Sequence, residues 1–281
     1  MSATVKLYYA NIRNMGDQLN VLLLERLFGL RVERRSFLDG ELCAIGSCLG
    51  QYTLHGGTAM RLRQRVNGLL RPDVSVWGTG FIRRTDCESP FFKRNMRFFA
   101  LRGELTRRDV ERMTGRETGT AVGDPGLLVR RLFPELPAKR FRVGIVPHVC
   151  DICDERIPSL LAAYPDSCLI DVREEPLTVL RQIASCETVF SSSLHGLVAA
   201  DSFGIPNRHA VLSDRPLGDG YKFNDYYSAF SVPHIFTDLR SSPPPTAEEI
   251  RSTRAVTDEA VQRLSEGLLD AFERIRQGGN A

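Results

Sequence analysis

The stretch from Glu187 to Asn207 reads ETVFSSSLHGLVAADSFGIPN, and it decides the predicted fold. Its first residues, through Phe190, suit a buried strand, and three serines follow them. The pattern from Leu194 to Phe203 predicts a helix that stops at Gly204, because serine favours the start of a helix and glycine favours its end. A strand that leads through a polar turn into a helix is the repeating unit of open α/β sheets.

The start of the predicted helix is a candidate anion-binding site. The first N–H groups of a helix lack partners within the helix, and the helix dipole is positive at that end. His195 lies in the first turn, where an imidazole could exchange protons with a bound substrate near neutral pH. A histidine packed in the core and bonded to a backbone carbonyl fits the same spacing, so position alone leaves both interpretations open.

Comparable strand and helix patterns run along the whole chain. In the first half they predict strands at Val5–Tyr9, Glu41–Ile45, Val74–Trp77 and Arg97–Arg102, and helices at Asp17–Phe28 and Leu105–Met113. In the second half they predict strands at Arg142–Val146, Cys168–Val172, Glu187–Phe190 and Arg208–Leu212, with helices at Ser159–Tyr164, Pro176–Ala184 and Leu194–Phe203. The predicted fold class is α/β, with two Rossmann-like sheets that bind ligands at the carboxyl ends of their strands.

Prolines mark the predicted domain boundaries. Asp124-Pro125-Gly126 and the proline- and charge-rich residues after it separate an N-terminal domain, residues 1–135, from a C-terminal domain, residues 136–242. We expect the split itself near residues 127–141. A run of three prolines at 243–245 then begins a C-terminal helical segment, residues 243–281.

The C-terminal segment is predicted to pack back on the domains. Thr246 and Glu249 have the spacing of a capping box, which starts a helix. One face of the helix that follows carries five apolar residues, Val261, Leu264, Leu268, Phe272 and Ile275. A membrane-surface helix is the alternative, but the polar face carries both signs of charge, which favours packing against the protein.

Composition bounds the class of protein. The 281 residues are 42% hydrophobic and 25% charged, as in ordinary globular proteins. No apolar run approaches the roughly 20 residues needed to span a bilayer, and the N-terminus turns polar too early for a secretion signal. Seven cysteines, an odd and scattered set, suit a reducing cytosol, so the expected location is the cytoplasm.

Two local features bear on the ligand. Cys150 and Cys153 form a lone CxxC without the second ligand pair of a zinc site; we interpret them as partly buried structural thiols, with a redox pair as the alternative. Only four of the 37 basic residues are lysines, and arginines crowd residues 83–108. The arginine fork suits phosphate and carboxylate, which indicates an anionic substrate. Nucleic acid is disfavoured, because neither aromatic platforms nor a known module accompany the charge.

Further polar residues follow the predicted strands. Arg102 lies in FFALRGELTRR, His148 follows RVGIVP, and Asn14, Gly16 and Asp17 follow the first strand. For Arg102, position alone favours an ordinary surface arginine. The glycine-rich turns lack the GxGxxG of dinucleotide sites and the lysine of a P-loop.

The motifs NxGD, GSCLG, VWGTGF, LRGELTRR, VGDPGLL, GIVPH and SSSLHGLVAADSFGIPN, in this order over roughly residues 8–235, resemble the polysaccharide pyruvyltransferase family. The SLHG segment is the most specific of them. The resemblance implies two Rossmann-like domains in a GT-B-like arrangement, with the active site in the interdomain cleft. It also implies phosphoenolpyruvate as the donor substrate and His195 with Arg102 as the active-site pair. No metal is expected, because no step of the implied reaction demands one and the sequence shows no ligand cluster, and no cofactor is expected.

The donor is expected to contact the helix start and the strand ends, at Ser192, Ser193, Leu194, Gly196, Asn14, Gly16, Asp17 and His148. Many family members carry an arginine where this chain has Ser193. Arg208 or Lys222 would then replace that contact, or the serine hydroxyl and the helix N–H groups would suffice.

The implied reaction transfers a pyruvyl group from phosphoenolpyruvate to hydroxyls of a sugar in a cell-surface or exopolysaccharide precursor, with release of phosphate. A lipid-linked glycan acceptor would allow a peripheral contact with the inner face of the membrane. Two alternatives stay open at this point. One is a nucleotide-sugar glycosyltransferase of GT-B type, and the other is a non-catalytic domain that binds glycans or anions.

Overall fold

The computed structural model describes residues 3–89 and 91–278. Within these residues the first half of the chain forms a six-stranded sheet from β1 (Thr4–Tyr8), β2 (Arg31–Arg34), β3 (Leu42–Cys43), β4 (Val74–Trp77), β5 (Met96–Leu101) and β6 (Ala121–Val122). The strand order is β2-β1-β3-β4-β5-β6, and each neighbouring pair is parallel.

The second half forms a five-stranded sheet from β7 (Phe141–Val146), β8 (Ser167–Leu169), β9 (Cys186–Ser191), β10 (Asn207–Val211) and β11 (Phe236–Asp238). Its order is β11-β10-β9-β7-β8, and its pairs are also parallel. Two parallel sheets in succession confirm the predicted α/β class. Parallel strands covered on both faces read as apolar runs, which is why β4 and β9 stood out in the sequence.

Helices connect the strands. They are α1 (Met15–Phe28), α2 (Thr58–Leu69), α3 (Glu104–Thr114), α4 (Ile157–Ala163), α5 (Pro176–Ala184), α6 (Leu194–Ser202), α7 (Tyr221–Ser228), α8 (Ala247–Ser252) and α9 (Asp258–Arg276), with 3₁₀ turns at Leu49–Tyr52, Arg84–Cys87 and Pro125–Leu132. Within the described chain, none of these helices is both long and apolar enough to cross a membrane.

Turns and helices that follow strands of the two sheets contact each other. Because the strands are parallel, the turns that follow them gather on one edge of each sheet. The N–H of Met15, at the start of α1, donates to the carbonyl of Val172 in the second half at 2.7 Å. Arg102, directly after β5, binds Asp225 on α7. Polar side chains from both halves therefore meet between the sheets.

Several local expectations change in the structure. The strand expected at Glu41–Ile45 is reduced to Leu42–Cys43, and the one expected at Cys168–Val172 lies at Ser167–Leu169. The stretch after Asp124, interpreted as a boundary, forms the 3₁₀ turn Pro125–Leu132, whose first five residues are buried. The turn packs between α1 and α6, so the arginines at its end lie beside a buried element of the core. The domain limits themselves stay a prediction.

The C-terminal helix packs into the first sheet. The capping box of Thr246 and Glu249 is confirmed, and it starts α8. On α9, Leu268 and Phe272 are fully buried, and the Phe272 ring lies 4.6 Å from the Trp77 ring on β4. The indole Nε1 of Trp77 donates to the carbonyl of Leu268 at 2.8 Å. This helix therefore buries its apolar face in the protein.

Phe272→Ala should lower the free energy of unfolding by about 3–5 kcal/mol, because it leaves a cavity against Trp77. Urea denaturation monitored by Trp77 fluorescence measures the change. Gln262→Ala, on the exposed face of the same helix, is the control and should change stability by less than about 0.5 kcal/mol. A Phe272→Ala protein as stable as the wild type would show that α9 is not part of the core.

Candidate active site

The start of α6 forms the floor of the site. Ser193 is the N-cap residue, yet its hydroxyl makes no capping bond; instead its N–H donates to Ser191 Oγ at 3.0 Å. Among the described residues, the N–H groups of Leu194 and His195 donate to no protein acceptor. Two free donors at the positive end of a helix are suited to bind an anion.

The His195 ring lies against the start of α1. A Cβ atom added to Gly16 would come within 2.1 Å of His195 Nδ1, so this contact requires a glycine. The side chain of His195 is 12% exposed. The close approach accounts for the glycine of the NxGD motif, because a side chain at Gly16 would collide with the imidazole. Asp17 is the next residue of the motif.

Asp124 lies on the other side of the imidazole. Its Oδ2 is 3.7 Å from His195 Nε2, and both atoms are buried without a hydrogen-bond partner among the described residues. The other carboxylate oxygen accepts from the N–H of Gly126 at 2.8 Å. A small movement would turn the 3.7 Å contact into a hydrogen bond. Asp124 would then hold a proton on Nε2, which leaves Nδ1 as the nitrogen for a substrate.

His148 is tied to the α6 start by Ser192. The N–H of His148 donates to Ser192 Oγ at 2.8 Å, and that hydroxyl donates to Asp151 at 2.8 Å. Burial, assisted by the charge of Lys222, lowers the pKa of His148 to about 4. Its Nδ1 accepts from the N–H of Cys150, so the neutral ring carries its proton on Nε2. His148 is therefore a neutral hydrogen-bond donor at physiological pH.

Lys222 on α7 supplies a cation. It is 8% exposed, and among the described residues no carboxylate lies within ion-pair distance of it. Burial, reinforced by the charge of Arg102, lowers the pKa of Lys222 to about 8. The charge of Asp17, from the first half of the chain, acts in the opposite direction and raises the pKa of Lys222. Burial raises the pKa of Asp17 itself, while a hydrogen bond from Asn14 and the charges of His195 and Lys222 oppose that rise. A buried unpaired ammonium is costly unless a ligand shares it.

Arg102 lies deeper than the sequence indicated. It is fully buried, and its Nε binds Asp225 at 2.8 Å, while its two terminal nitrogens bind Ser47 Oγ and the carbonyl of Phe81. Asp225 also accepts from the N–H and hydroxyl of Thr106. Arg102 therefore fixes α7 against the first sheet. Its predicted donor contact stays a prediction, and such a contact would require the Ser47 hydroxyl to move.

The structure brings several of the predicted site residues near one another. The charges of Asp17, His148, His195 and Lys222 act on one another, Asn14 binds Asp17, Gly16 packs against His195, and Ser192 binds His148. The side chain of Leu194 packs in an apolar cluster, and Gly196 packs against Ser191 Oγ, so these two offer only backbone atoms. Arg208 binds Thr253 and the carbonyl of Glu249. Lys222, the other cation considered in place of an arginine at Ser193, lies near Asp17 and His148.

Sequence reasoning missed two acidic residues. Asp124 stands in the VGDPGLL motif, which was interpreted as a boundary and as a family motif but supplied no predicted site residue, and Asp151 follows His148 by three residues. Asp151 is fully buried and accepts from Ser192 and Ser213. Cys150 and Cys153, expected to be partly buried, are exposed in the turn after His148, so the expectation of buried structural thiols was wrong.

Comparison with known proteins relates this site to a family of enzymes. Residues 74–210, just under half of the chain, match the family model described as polysaccharide pyruvyl transferase. The chain is similar to this family over that stretch. The match runs from β4 to β10, and it includes Arg102, Asp124, His148 and His195.

Two relatives support the assignment. The succinoglycan biosynthesis protein ExoV of Rhizobium meliloti (strain 1021) is 27% identical over 226 residues, which cover 78% of this chain and 62% of ExoV. An uncharacterised protein of Acanthamoeba polyphaga mimivirus is 26% identical over 231 residues, which cover 80% of this chain and 74% of that protein. The chain thus spans less than two thirds of the length of ExoV.

Gly16→Ala should lower turnover by about 10²-fold, because the new methyl group displaces the His195 ring and such a misplacement of a reacting group costs rate. Steady-state kinetics of pyruvyl transfer measures the effect. Gly57→Ala is the matched control, since a Cβ there meets nothing within 4 Å. Normal turnover in Gly16→Ala would show that the ring position is irrelevant to the reaction.

Proposed function

We propose that this protein transfers a pyruvyl group from phosphoenolpyruvate to two hydroxyls of a sugar in a cell-surface or exopolysaccharide precursor, forming a pyruvate ketal and releasing phosphate. The observation that carries this proposal is the family match over residues 74–210, which contain the His195 and Asp124 pair. The name of the rhizobial relative, a succinoglycan biosynthesis protein, agrees with a glycan acceptor. A nucleotide-sugar glycosyltransferase and a non-catalytic binding domain are less favoured, because the matching family transfers pyruvyl groups.

The donor carries a carboxylate and a phosphate, and the site offers donors for both. The free N–H groups of Leu194 and His195 suit one anionic group. The Lys222 ammonium has no carboxylate partner among the described residues, and an anionic donor would supply one. His148 Nε2–H adds a neutral hydrogen bond. No single residue has to replace the arginine that other members carry at Ser193.

His195 would move the protons. Protonation of the donor methylene at C3 makes C2 an oxocarbenium-like centre, and a sugar hydroxyl adds to it and gives up its proton. The C2–O bond to phosphate then breaks, and a second hydroxyl closes the ketal. The proton that enters C3 and the two that leave the hydroxyls balance when hydrogen phosphate departs. Nδ1 of His195 would exchange these protons, while Asp124, 3.7 Å from Nε2, would position the ring.

The proposal also includes a movement of the two halves and a location in the cell. His195 and Lys222 are nearly covered, so donor entry would require the two halves to separate as in a GT-B-like arrangement. Closure over the cleft would then keep water from the oxocarbenium-like centre. We place the reaction in the cytoplasm, with a lipid-linked acceptor at the inner face of the membrane, and we propose that it needs neither a cofactor nor a metal.

His195→Ala should lower kcat by about 10²–10⁴-fold at saturating phosphoenolpyruvate, because a general acid and base is lost. Phosphate release in the presence of a glycan acceptor measures turnover. Asp124→Asn should lower kcat less and leave the KM for phosphoenolpyruvate unchanged, since it acts through the ring.

Further measurements test the identity of the donor, the need for a metal and the role of His195 in the fold. Uridine diphosphate should not raise the melting temperature, whereas phosphoenolpyruvate should. Activity should persist in excess EDTA; a loss restored by a divalent ion would contradict the metal-free proposal. If His195→Ala keeps its kcat and its melting temperature, the histidine is structural and the mechanism is wrong.

Binding of phosphoenolpyruvate should weaken as the pH rises through about 8, where Lys222 loses its proton. Below that pH the ammonium is charged and attracts the donor; above it the attraction is lost. Isothermal titration calorimetry between pH 6.5 and 9.5 measures the change in Kd, which should amount to roughly 10–100-fold, the value of a hydrogen bond to a charged group.

Lys222→Met should weaken donor binding at pH 7 and remove its dependence on pH in this range. Lys6→Met, on the surface at the start of the chain, is the control and should behave as the wild type. An unchanged pH profile in Lys222→Met would assign the titration to another group.

A further inference from the structure

The side of α2 that contacts the rest of the protein is formed by a glycine and polar side chains. Gly68 packs so closely that a Cβ there would lie 1.8 Å from the carbonyl oxygen of Lys93. Beside it, Gln64 exchanges bonds with the backbone of His55, and Arg65 donates to the carbonyl of Phe92. The helix is therefore attached by a glycine and polar groups, and not by an apolar stripe.

The apolar residues of α2 point the other way. Leu62, Val66 and Leu69 follow one another at the i, i+4 and i+7 positions of one helical face, opposite Gly68. Leu62 is 66% exposed, and Val66, Leu69 and the adjacent Leu70 are exposed as well. A helix in a globular protein normally turns such a face to the core. This face has no cover within the described chain.

Positive charge surrounds this face. Arg61 and Arg63 are exposed, and among the described residues neither forms an ion pair. From Thr53 to Pro72 the sequence contains no aspartate or glutamate. Next to the helix, Leu38 and Leu70 line a cavity of about 540 Å³ together with Lys93 and with Arg71, whose charge is paired with Asp39. The surface is thus apolar at its centre and basic at its edge.

We propose that α2 docks on an anionic membrane surface, with Leu62, Val66 and Leu69 in the interface and Arg61 and Arg63 against lipid headgroups. Short amphipathic helices of this composition lie in the membrane plane. A symmetric dimer through the same face is disfavoured, since it would bring like arginines together without acidic partners. The membrane contact in our functional proposal thereby gains a location, α2 rather than α9.

Vesicle flotation of the 281-residue protein tests this proposal. Wild-type protein should bind vesicles of phosphatidylcholine with phosphatidylglycerol, and bind poorly to phosphatidylcholine alone. Leu62→Asp should lower the partition coefficient by at least about 10-fold, because it removes an inserted side chain and adds repulsion. Arg61→Gln with Arg63→Gln should lower it by roughly 30-fold, the effect of two basic groups near an anionic surface.

Matched variants control for exposure and charge. Leu217→Asp changes a leucine that is 65% exposed in the loop before α7, and Arg26→Gln with Arg31→Gln removes two exposed charges elsewhere; both should bind as the wild type. Circular dichroism confirms folding of each variant. No catalysis is measured, so failure here would leave the donor proposal intact.

Three results would overturn the proposal. The first is absence of wild-type binding to the anionic vesicles, and the second is equal binding by Leu62→Asp and wild type. The third is a dimer in light scattering that Leu62→Asp abolishes, without vesicle binding, which would assign the face to a second copy of the chain.

Discussion

The buried ion pair of Arg102 and Asp225 holds the two halves of the site together. Arg102 ends a strand of the first sheet, and Asp225 lies on α7 of the second half, so their bond sets α7 against β5. Glycines at 80 and 103 permit this approach, since a Cβ at either position would collide with the pair. Removing one partner of such a pair costs about 3–5 kcal/mol, because the other charge is left buried. One turn before Asp225, the same helix carries Lys222 into the site.

Burial of the Lys222 ammonium costs folding free energy and supplies the site with a cation. Its ammonium is held out of water and near the like charge of Arg102, which lowers its pKa to about 8. His148, made neutral by burial, and the free N–H groups of α6 add donors without adding charge. The site thus combines these hydrogen-bond donors with the carboxylates of Asp17, Asp124 and Asp151, none of which forms an ion pair with Lys222 among the described residues. A dianionic or trianionic ligand would offset the like charges of Lys222 and Arg102.

α2 and α9 carry similar apolar periodicity with opposite outcomes. In α9 the stripe contacts Trp77 and the first sheet, and the helix is part of the core. In α2 the side that touches the protein is Gly68 with polar neighbours, and the stripe is left outside. Periodicity shows that a helix has an apolar face, but not which surface covers it. Charge distinguishes the two helices, because α9 carries both acidic and basic residues, whereas all charged residues of α2 are arginines.

The sequence alone determined the α/β class, most of the strands, the break before α8 and the resemblance to a family, because apolar periodicity, capping residues and motif order are local properties. It also singled out His195, since the helix start is local. The partners of that histidine were not predictable: Asp124 is 71 positions away, and Gly16 is further. Only the tertiary structure decided that Arg102 is a buried clamp, that Lys222 and not Arg208 enters the site, and that α2 faces outward. These outcomes depend on which surfaces pack together, a property set by contacts between distant segments.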